Sequence, residues 1–252
     1  MRLISFDPLR TIGFPDTTHL KPAQMYQHAA ALQAADWVLF PEYWQLNALQ
    51  YAYKVKIFPS EASYRIGHNK IEMTRAFQAV APHNIPETHI VANTPGNAED
   101  LWQRLPRPFV AKLPKSSMGE GVWLIDSMSD WQQYLARTEV LYVQEHLPID
   151  RDLRIVVVGD AILTAYWRVQ SPYSFHNNLA RGGTAEFSPV PEAALKLVQQ
   201  VATQLGVDHA GFDVAMVGER PYLFELNRLF GNQGIKGGDA AIREAILRHL
   251  RR

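Results

Sequence analysis

The chain has 252 residues, and its 25 basic and 25 acidic side chains give a formal net charge of zero. This balance provides no overall field that would draw the protein to nucleic acid or to an anionic membrane, so neither is expected as a partner. The absence of cysteine excludes disulfides, thiolate metal sites and a cysteine nucleophile. No secretion signal and no apolar run of membrane-spanning length is found, which predicts a cytoplasmic protein.

Strand-like and helix-like segments alternate along the chain, a pattern typical of the mixed α/β class. In the first 60 residues, short buried strands are predicted at 2–6, 37–40 and 55–58. Helical stretches are predicted between them, around 21–35 and 43–52. These elements predict a small βαβαβ domain over residues 1–60.

A second domain is predicted over residues 61–140. In "IEMTRAFQAV" apolar residues recur at helical spacing, and Asn69 with Glu72 resembles a capping pair. The segment "PFVAKLPKSSMGEGVWLI" is typical of a strand, a Gly-containing loop and a second strand, and Ser129 with Gln132 is predicted to begin the next helix. The elements predict a compact α+β lobe.

A third domain, again α+β, is predicted over residues 141–252. The segment "RIVVVGDAILTAYWRV" favours a hairpin that turns at Gly159-Asp160, and "PEAALKLVQQVATQLG" favours a helix between Pro191 and Gly206. A second hairpin is predicted in "AGFDVAMVGERPYLFELN", and an amphipathic helix that packs on its own domain in "GDAAIREAILRHLRR".

The second hairpin places oxygen-bearing side chains on one face. If its loop has three or five residues, Asp213, Glu225 and Asn227 all point to the same side. Carboxylates with a neutral amide oxygen suit Mg²⁺ or Mn²⁺ better than zinc or copper. From these three residues alone, strand-edge charges and a turn residue are an equally good interpretation.

Lys112 lies within the apolar strand "PFVAKLP", where a buried ammonium requires an anion nearby. The loop that follows contains Ser116, Ser117 and Gly119, whose hydroxyl and backbone N–H groups suit phosphate. Such loops are as often simple turns, so this loop alone is weak evidence for a nucleotide site.

The order of these segments, together with "YVQEHLPIDRDLRIVVVGD" and "FHNNLARGGTAEF", resembles the ATP-grasp carboxylate–amine ligases, closest to the RimK-like branch, over roughly residues 60–235. The resemblance implies a glutathione synthetase-like fold in which two α+β lobes clamp ATP, preceded here by the abbreviated βαβαβ unit. It implies two Mg²⁺ ions, with Mn²⁺ as a substitute, and a carboxylate and an amine as substrates. A homodimer is suggested only by the resemblance.

The resemblance also assigns residues to roles. It implies that Asp213, Glu225 and Asn227 are the metal ligands and that Arg168, Asn178 and Arg181 serve catalysis. The residues that it assigns to nucleotide binding are Lys70, Lys112, Ser116, Ser117, Gly119, Gln144, Glu145, His146, Leu147, Asp152, Arg154, His176 and Asn177.

Several alternatives remain open at this point. Lys70 can be read as a solvated helix residue, Arg154 as part of a structural ion pair, and His146 and His176 as ordinary polar contacts. The resemblance implies a ligase that forms an acyl phosphate, but the same fold also serves small-molecule kinases and non-catalytic ATP-binding regulators. The segment "RLFGNQG" departs from the small residues and Pro-Gly usual in the family, and predicts that Arg228 and Phe230 lie beside the catalytic floor.

Overall fold

The structure is a computed structural model that describes residues 1–115, 121–169 and 184–252. It contains three β-sheets with helices packed against them, which confirms the predicted mixed α/β class. Among the described residues, no helix has the length and apolar character needed to cross a bilayer.

The amino-terminal sheet is parallel and has the strand order β2-β1-β3-β4. Its elements are β1 (Leu3–Ser5), β2 (Thr17–His19), α1 (Ala29–Gln33), β3 (Trp37–Leu39) and β4 (Ile57–Phe58). Helical turns also occur at Pro22–His28, Tyr43–Gln45 and Ala48–Tyr53. The sequence did not predict β2, because its three residues are polar and largely exposed and so lack the pattern of a buried strand.

The second sheet has the order β5-β8-β6-β7 and is antiparallel. Its elements are β5 (Thr88–Ala92), α4 (Pro95–Arg104), β6 (Phe109–Lys112), β7 (Val122–Ile125), α5 (Met128–Leu135) and β8 (Val140–Glu145). The predicted start of α5 at Ser129 is wrong. Ser127 caps the helix, because Asp130 accepts a hydrogen bond from the Ser127 N–H at 2.9 Å and closes the capping box two residues earlier.

Helices α2 (Glu61–Ile66) and α3 (Lys70–Val80) connect these two sheets. Asn69 caps α3 as predicted, since its side-chain oxygen accepts a hydrogen bond from the Ile71 N–H at 2.8 Å.

The third sheet is the largest and has the order β11-β10-β9-β12-β13. Its elements are β9 (Arg151–Val158), β10 (Ala161–Val169), β11 (Thr184–Glu186), α6 (Glu192–Leu205), β12 (His209–Val217), β13 (Arg220–Asn227) and α7 (Gly238–Leu250). Helices α3 and α6 cover one face with a continuous apolar core. The opposite face is divided: α7 and the amino-terminal sheet cover one end, and polar side chains occupy the other.

Two β-bulges decide which side chains occupy this polar half. In the β9–β10 hairpin, Leu163 has no partner, and the resulting shift aligns Arg168 with Asp152 instead of Arg151. The β12–β13 hairpin has a two-residue loop, since Val217 pairs with Arg220, so the predicted loop of three or five residues is wrong. Phe224 is the extra residue there, and its bulge restores the pairing of Asp213 with Glu225.

His209 begins β12 and is buried among aromatic rings. It stacks on Phe230 with ring centroids 4.6 Å apart, and Phe40 and Phe58 meet it edge-on. Its Nδ1–H can donate to the carbonyl of Arg228, 2.8 Å away. Burial lowers the pKa of His209 to about 4, so the ring is neutral in the folded protein at pH 7.

We therefore expect acid to destabilise the protein through His209. Between its unfolded pKa of 6.5 and its folded pKa of about 4, the unfolded chain binds a proton that the folded chain does not. The free energy of unfolding should fall as the pH decreases, by on the order of 2 kcal/mol between pH 7 and pH 5. Urea unfolding of His209→Gln should show a weaker pH dependence, whereas His83→Gln at an exposed position should behave as the parent. Equal pH dependence in the parent and His209→Gln would contradict this assignment.

Candidate active site

Four charged side chains of alternating sign cross the polar half of the third sheet. Arg168 on β10 donates two hydrogen bonds to Asp152 on β9, at 2.7 and 2.6 Å, and its Nη2 also lies 3.1 Å from Asp213 on β12. Arg154 on β9 approaches Asp213 from the other side, with Nε 2.7 Å from Oδ1. Asp213 is therefore held between two guanidinium groups.

Burial makes these ion pairs interdependent. Asp152, Arg168 and Asp213 are each less than a tenth exposed. Burial raises the pKa of Asp152 to about 6, and Arg168 opposes this effect. Burial alone would lower the pKa of Arg168, but the carboxylates of Asp213 and Asp152 outweigh it and raise the pKa. Arg168 thus remains charged at neutral pH.

One contact in this row is electrostatic and not a hydrogen bond. Arg154 Nε and Asp213 Oδ1 are 2.7 Å apart, yet both atoms are buried and neither has a hydrogen-bond partner among the described residues. The short distance therefore reflects attraction with poor alignment, and Arg154 forms its hydrogen bond through Nη2, at 3.3 Å from Asp213 Oδ2. Asp213 Oδ1 retains acceptor capacity towards the polar face.

The predicted metal ligands lie together at the end of the β12–β13 hairpin. Asn227 Nδ2 is 3.1 Å from Glu225 Oε1 and 3.5 Å from Asp213 Oδ2, so the three side chains form one cluster. The Phe224 bulge is the local reason, because it returns Glu225 and Asn227 to the face that carries Asp213.

Two lysines flank this cluster. Lys70, the first residue of α3, places Nζ 3.9 Å from Glu225 Oε2. Lys112, at the end of β6, is buried, and its Nζ lies 5.5 Å from the ring centroid of Phe224 and 5.9 Å from that of Tyr142. Helix α3, the second sheet and the third sheet thus converge on Glu225.

The electrostatics of the lysines favour an anionic ligand. Burial is the main cause that lowers the pKa of Lys112 to about 8; Lys70 adds to it and Glu225 opposes it. Burial alone would raise the pKa of Glu225, but Lys70 and Lys112 together hold it below its usual value. Two ammonium groups thus lie near Glu225, and a bound polyanion would be attracted to them.

The predicted hinge residues lie at and after the end of β8. The Gln144 amide donates to Thr88 Oγ1 at 2.9 Å, and Glu145 Oε1 accepts from the backbone N–H of Glu87 at 2.8 Å. Both side chains therefore already have hydrogen-bond partners, Gln144 on β5 and Glu145 in the residue just before β5. His146 is half-buried and Leu147 is buried directly after them. The backbone N–H of Glu145 is also occupied, because it donates to the carbonyl of Glu87 at 3.0 Å.

Some predicted residues lie outside the described part of the chain. These are Ser116, Ser117, Gly119, His176, Asn177, Asn178 and Arg181. Phe230 is buried in the apolar cluster of α7 and stacks on His209, and it adjoins the polar half across Gly211. Arg228 lies over the ring of Tyr64, with Cζ 4.1 Å from the centroid.

Sequence reasoning missed two aromatic residues that shape the site. Tyr142 and Phe224 enclose the Lys112 ammonium, and the Tyr142 hydroxyl is fixed by Thr74 at 2.6 Å. Phe224 belongs to an apolar run, and only the bulge brings it beside Lys112, for which the sequence has no signal. Tyr142 alternates with the core residues Leu141 and Val143 along β8, and this period-two pattern could have indicated its different face.

The donor set of the cluster fits Mg²⁺ by its chemistry. Two carboxylates and one amide oxygen are hard ligands of the kind that Mg²⁺ prefers, and Asp213 Oδ1 is a buried acceptor without a hydrogen-bond partner among the described residues. The nitrogen of the Asn227 amide points to the carboxylates of Asp213 and Glu225. Rotating this amide by half a turn would present its oxygen to a metal ion instead. Among the described residues, no group of three or more His, Asp or Glu side chains could hold a metal ion, which leaves this mixed set as the candidate.

Comparisons with known proteins agree with this arrangement. The sequence model of the RimK-like ATP-grasp domain matches residues 69–250. A probable alpha-L-glutamate ligase of Xanthomonas euvesicatoria pv. vesicatoria is 32% identical over 202 residues, which cover 76% of this chain and 67% of the relative.

Solved structures with lower identity share the fold. A RimK domain ATP-grasp protein of Sphaerobacter thermophilus superposes with a TM-score of 0.72 at 16% identity, over 97% of this chain and 98% of that one. The D-alanine–D-alanine ligase of Bacillus anthracis superposes with a TM-score of 0.73 at 12% identity, over 100% and 97% of the two chains.

Fold and relatives together define the class of protein, an ATP-dependent ligase that forms carbon–nitrogen bonds. Within that class, the chain belongs to the RimK-like ATP-grasp family, which confirms the resemblance inferred from its motifs.

We expect the row of buried charges to be fragile when one member is removed. Arg168→Met should lower the free energy of unfolding by about 3–5 kcal/mol, because Asp152 and Asp213 would remain buried with too little positive charge. Arg104→Met removes an exposed ion pair with Asp100 and should cost about 1 kcal/mol or less. Urea unfolding at pH 7 measures both values. Similar stability of the two variants would show that the row contributes little.

Proposed function

We propose that this protein joins a substrate carboxylate to an amine by way of an acyl phosphate, with ATP and Mg²⁺. The observation that carries the proposal is the convergence of Lys70 and Lys112 on the cluster of Asp213, Glu225 and Asn227. Oxygen ligands for a divalent cation stand there next to cations that suit a triphosphate.

The two lysines would bind the phosphates of ATP. Lys112 is buried and enclosed by Tyr142 and Phe224, so it loses little side-chain freedom when a phosphate arrives. Lys70 approaches the same place from the amino terminus of α3. We assign adenine to the hinge of Gln144, Glu145 and His146, with Leu147 as an apolar wall, between the units 61–140 and 141–252.

Asp213, Glu225 and Asn227 would hold the metal. When bound, Mg²⁺ neutralises charge on the triphosphate and orients its terminal phosphoryl group. Arg154 and Arg168 fix the Asp213 carboxylate from two sides, so this ligand is pre-organised. In this assignment Asp152 is a positioning residue, because both of its oxygens accept hydrogen bonds from Arg168.

The chemistry requires no protein nucleophile. A carboxylate oxygen attacks the γ-phosphorus of ATP, the bond from that phosphorus to the β–γ bridging oxygen breaks, and ADP leaves. The amine nitrogen then attacks the acyl carbon, phosphate departs with the electron pair of the carbon–oxygen bond, and the nitrogen loses a proton. The cationic side chains would stabilise the negative charge on the phosphoryl oxygens in both steps.

The names of the relatives suggest the substrates. The relative in Xanthomonas is named a probable alpha-L-glutamate ligase, and the structural neighbour in Bacillus anthracis a D-alanine–D-alanine ligase. We therefore place amino acids first among the amines to be tested, with L-glutamate as the leading candidate.

A trapping assay tests the proposed reaction. The protein is incubated with Mg²⁺, ATP and pools of carboxylates, and hydroxylamine replaces the amine. Formation of a hydroxamate with an equal amount of ADP is expected. Phosphorylation of an alcohol would indicate a kinase instead, and ATP binding without any product would indicate a regulator.

Glu225→Gln should reduce hydroxamate formation at least 100-fold, because an amide binds Mg²⁺ more weakly than a carboxylate. Its circular dichroism spectrum should match the parent. Glu219→Gln in the exposed turn of the same hairpin is the matched control and should retain full activity. Full activity of Glu225→Gln would reject the metal assignment.

We also expect Lys112 to be required for nucleotide binding. Lys112→Met removes the charge and keeps most of the apolar stem, so the fold should tolerate it, while ATP should bind at least tenfold more weakly, a change of about 1.4 kcal/mol. The measurement is the increase in melting temperature on adding Mg²⁺ and ATP. Lys196→Met on the exposed face of α6 provides the control. An unchanged increase in Lys112→Met would remove Lys112 from the site.

A further inference from the structure

Two arginines meet where the amino-terminal sheet adjoins the end of β13. Arg10 follows β1, and its Cζ lies 6.0 Å from the ring centroid of Phe40, which directly follows β3. Arg228 follows β13, and its Cζ lies 4.1 Å from the ring centroid of Tyr64. The Tyr64 hydroxyl donates to the carbonyl of Pro41 at 2.5 Å, which joins the two aromatic platforms.

These two guanidinium groups are incompletely neutralised. Burial is the main cause that lowers the pKa of Arg228; the positive charge of Arg10 adds to this effect, and Tyr64 opposes it. Arg10 contacts Asp7 at 3.5 Å, and Asp7 already accepts hydrogen bonds from the backbone N–H groups of Leu9 and Arg10. Arg228 forms no ion pair with any carboxylate in the part of the chain that the structure describes.

Both arginines are half-buried, so solvent screens them less than it screens a surface pair. The aromatic faces below them remove water from one side of each guanidinium and leave the planar edge available. A guanidinium edge matches a carboxylate through two parallel hydrogen bonds. An anion placed between the two arginines would relieve their repulsion.

The position of the pair connects it to the candidate active site. Arg228 is the residue after Asn227, so its backbone adjoins the metal cluster. Arg10 and Phe40 lie beyond the carboxyl ends of parallel strands β1 and β3, the edge at which open parallel sheets bind ligands.

We propose that Arg10 and Arg228 bind a substrate carboxylate that is not activated in the reaction and thereby set the specificity of the enzyme. This inference rests on the proposed ligase function. The carboxylate could belong to the amine substrate, as in an amino acid, or to the activated substrate, as in a dicarboxylic acid. In both cases the group that the arginines recognise is a carboxylate.

Calorimetric titration of the full chain, with Mg²⁺ and a non-hydrolysable ATP analogue present, tests the inference with two probe pairs. L-glutamate is compared with its diamide, which lacks both carboxylates and keeps the amino group, and this pair tests the amino-acid source. Glutarate is compared with its monoamide, which tests the dicarboxylate source. We expect one carboxylate probe to bind at least tenfold more tightly than its amide, and the pair that shows the difference identifies the source.

The variants assign the preference to residues. Arg228→Gln should bind the carboxylate and its amide with equal affinity, and Arg10→Gln should lose part of the preference. Arg228→Lys keeps the charge without the planar edge and should retain part of it. Arg75→Gln, at an exposed position on α3, should behave as the parent. Unchanged melting temperatures would show that the variants fold.

The outcomes separate this inference from the proposed function. Full preference for carboxylate in Arg228→Gln, or binding of none of the four probes by the parent, overturns the role of the two arginines. Hydroxamate formation in the trapping assay would still support the ligase in either case. Conversely, a preference that depends on Arg228 in a protein that forms no hydroxamate would support the carboxylate site and reject the ligase.

Discussion

The candidate site depends on the carboxylate of Asp213 being held between the guanidinium groups of Arg154 and Arg168. A buried carboxylate is expensive unless opposite charge surrounds it, and each arginine in turn needs its own anion. Arg168 finds its second anion in Asp152, so the row is balanced across three adjacent strands. This balance holds the Asp213 carboxylate beside Asn227, whose Nδ2 lies 3.5 Å from Asp213 Oδ2.

One face of the third sheet carries both the row of charged side chains and the apolar cluster of α7, and the two adjoin directly. Gly211 lies at that boundary, where a side chain would meet Arg154 at 2.8 Å and Phe230 at 3.1 Å. A larger residue would push the guanidinium away from Asp213 or open the apolar cluster. The site and the core are therefore packed against each other, and neither can change independently.

Much of the fold could be predicted because its signals are local. Pro191 and Gly206 enclose α6, and Gly159-Asp160 turns the β9–β10 hairpin, as expected from their backbone preferences. The two bulges could not be predicted, because Leu163 and Phe224 are ordinary strand-forming residues and their type does not mark a bulge. The sequence correctly predicted that Asp213, Glu225 and Asn227 lie on the same side of the hairpin, although the loop length used was wrong. The Phe224 bulge compensates for the missing loop residue. The pairing of Arg168 with Asp152 depends on a bulge alone and was not inferred at all.

Helix α7 joins the beginning of the chain to its end. Ile246 and Leu250 pack with Leu3 and Leu39 in one cluster, and the indole N–H of Trp37 donates to the carbonyl of Leu250 across 213 residues of sequence. During synthesis, the first strands therefore emerge long before the helix that shields them. Until that helix is made, their apolar surface is exposed, and the partly synthesised chain would be an aggregation-prone intermediate that needs chaperones.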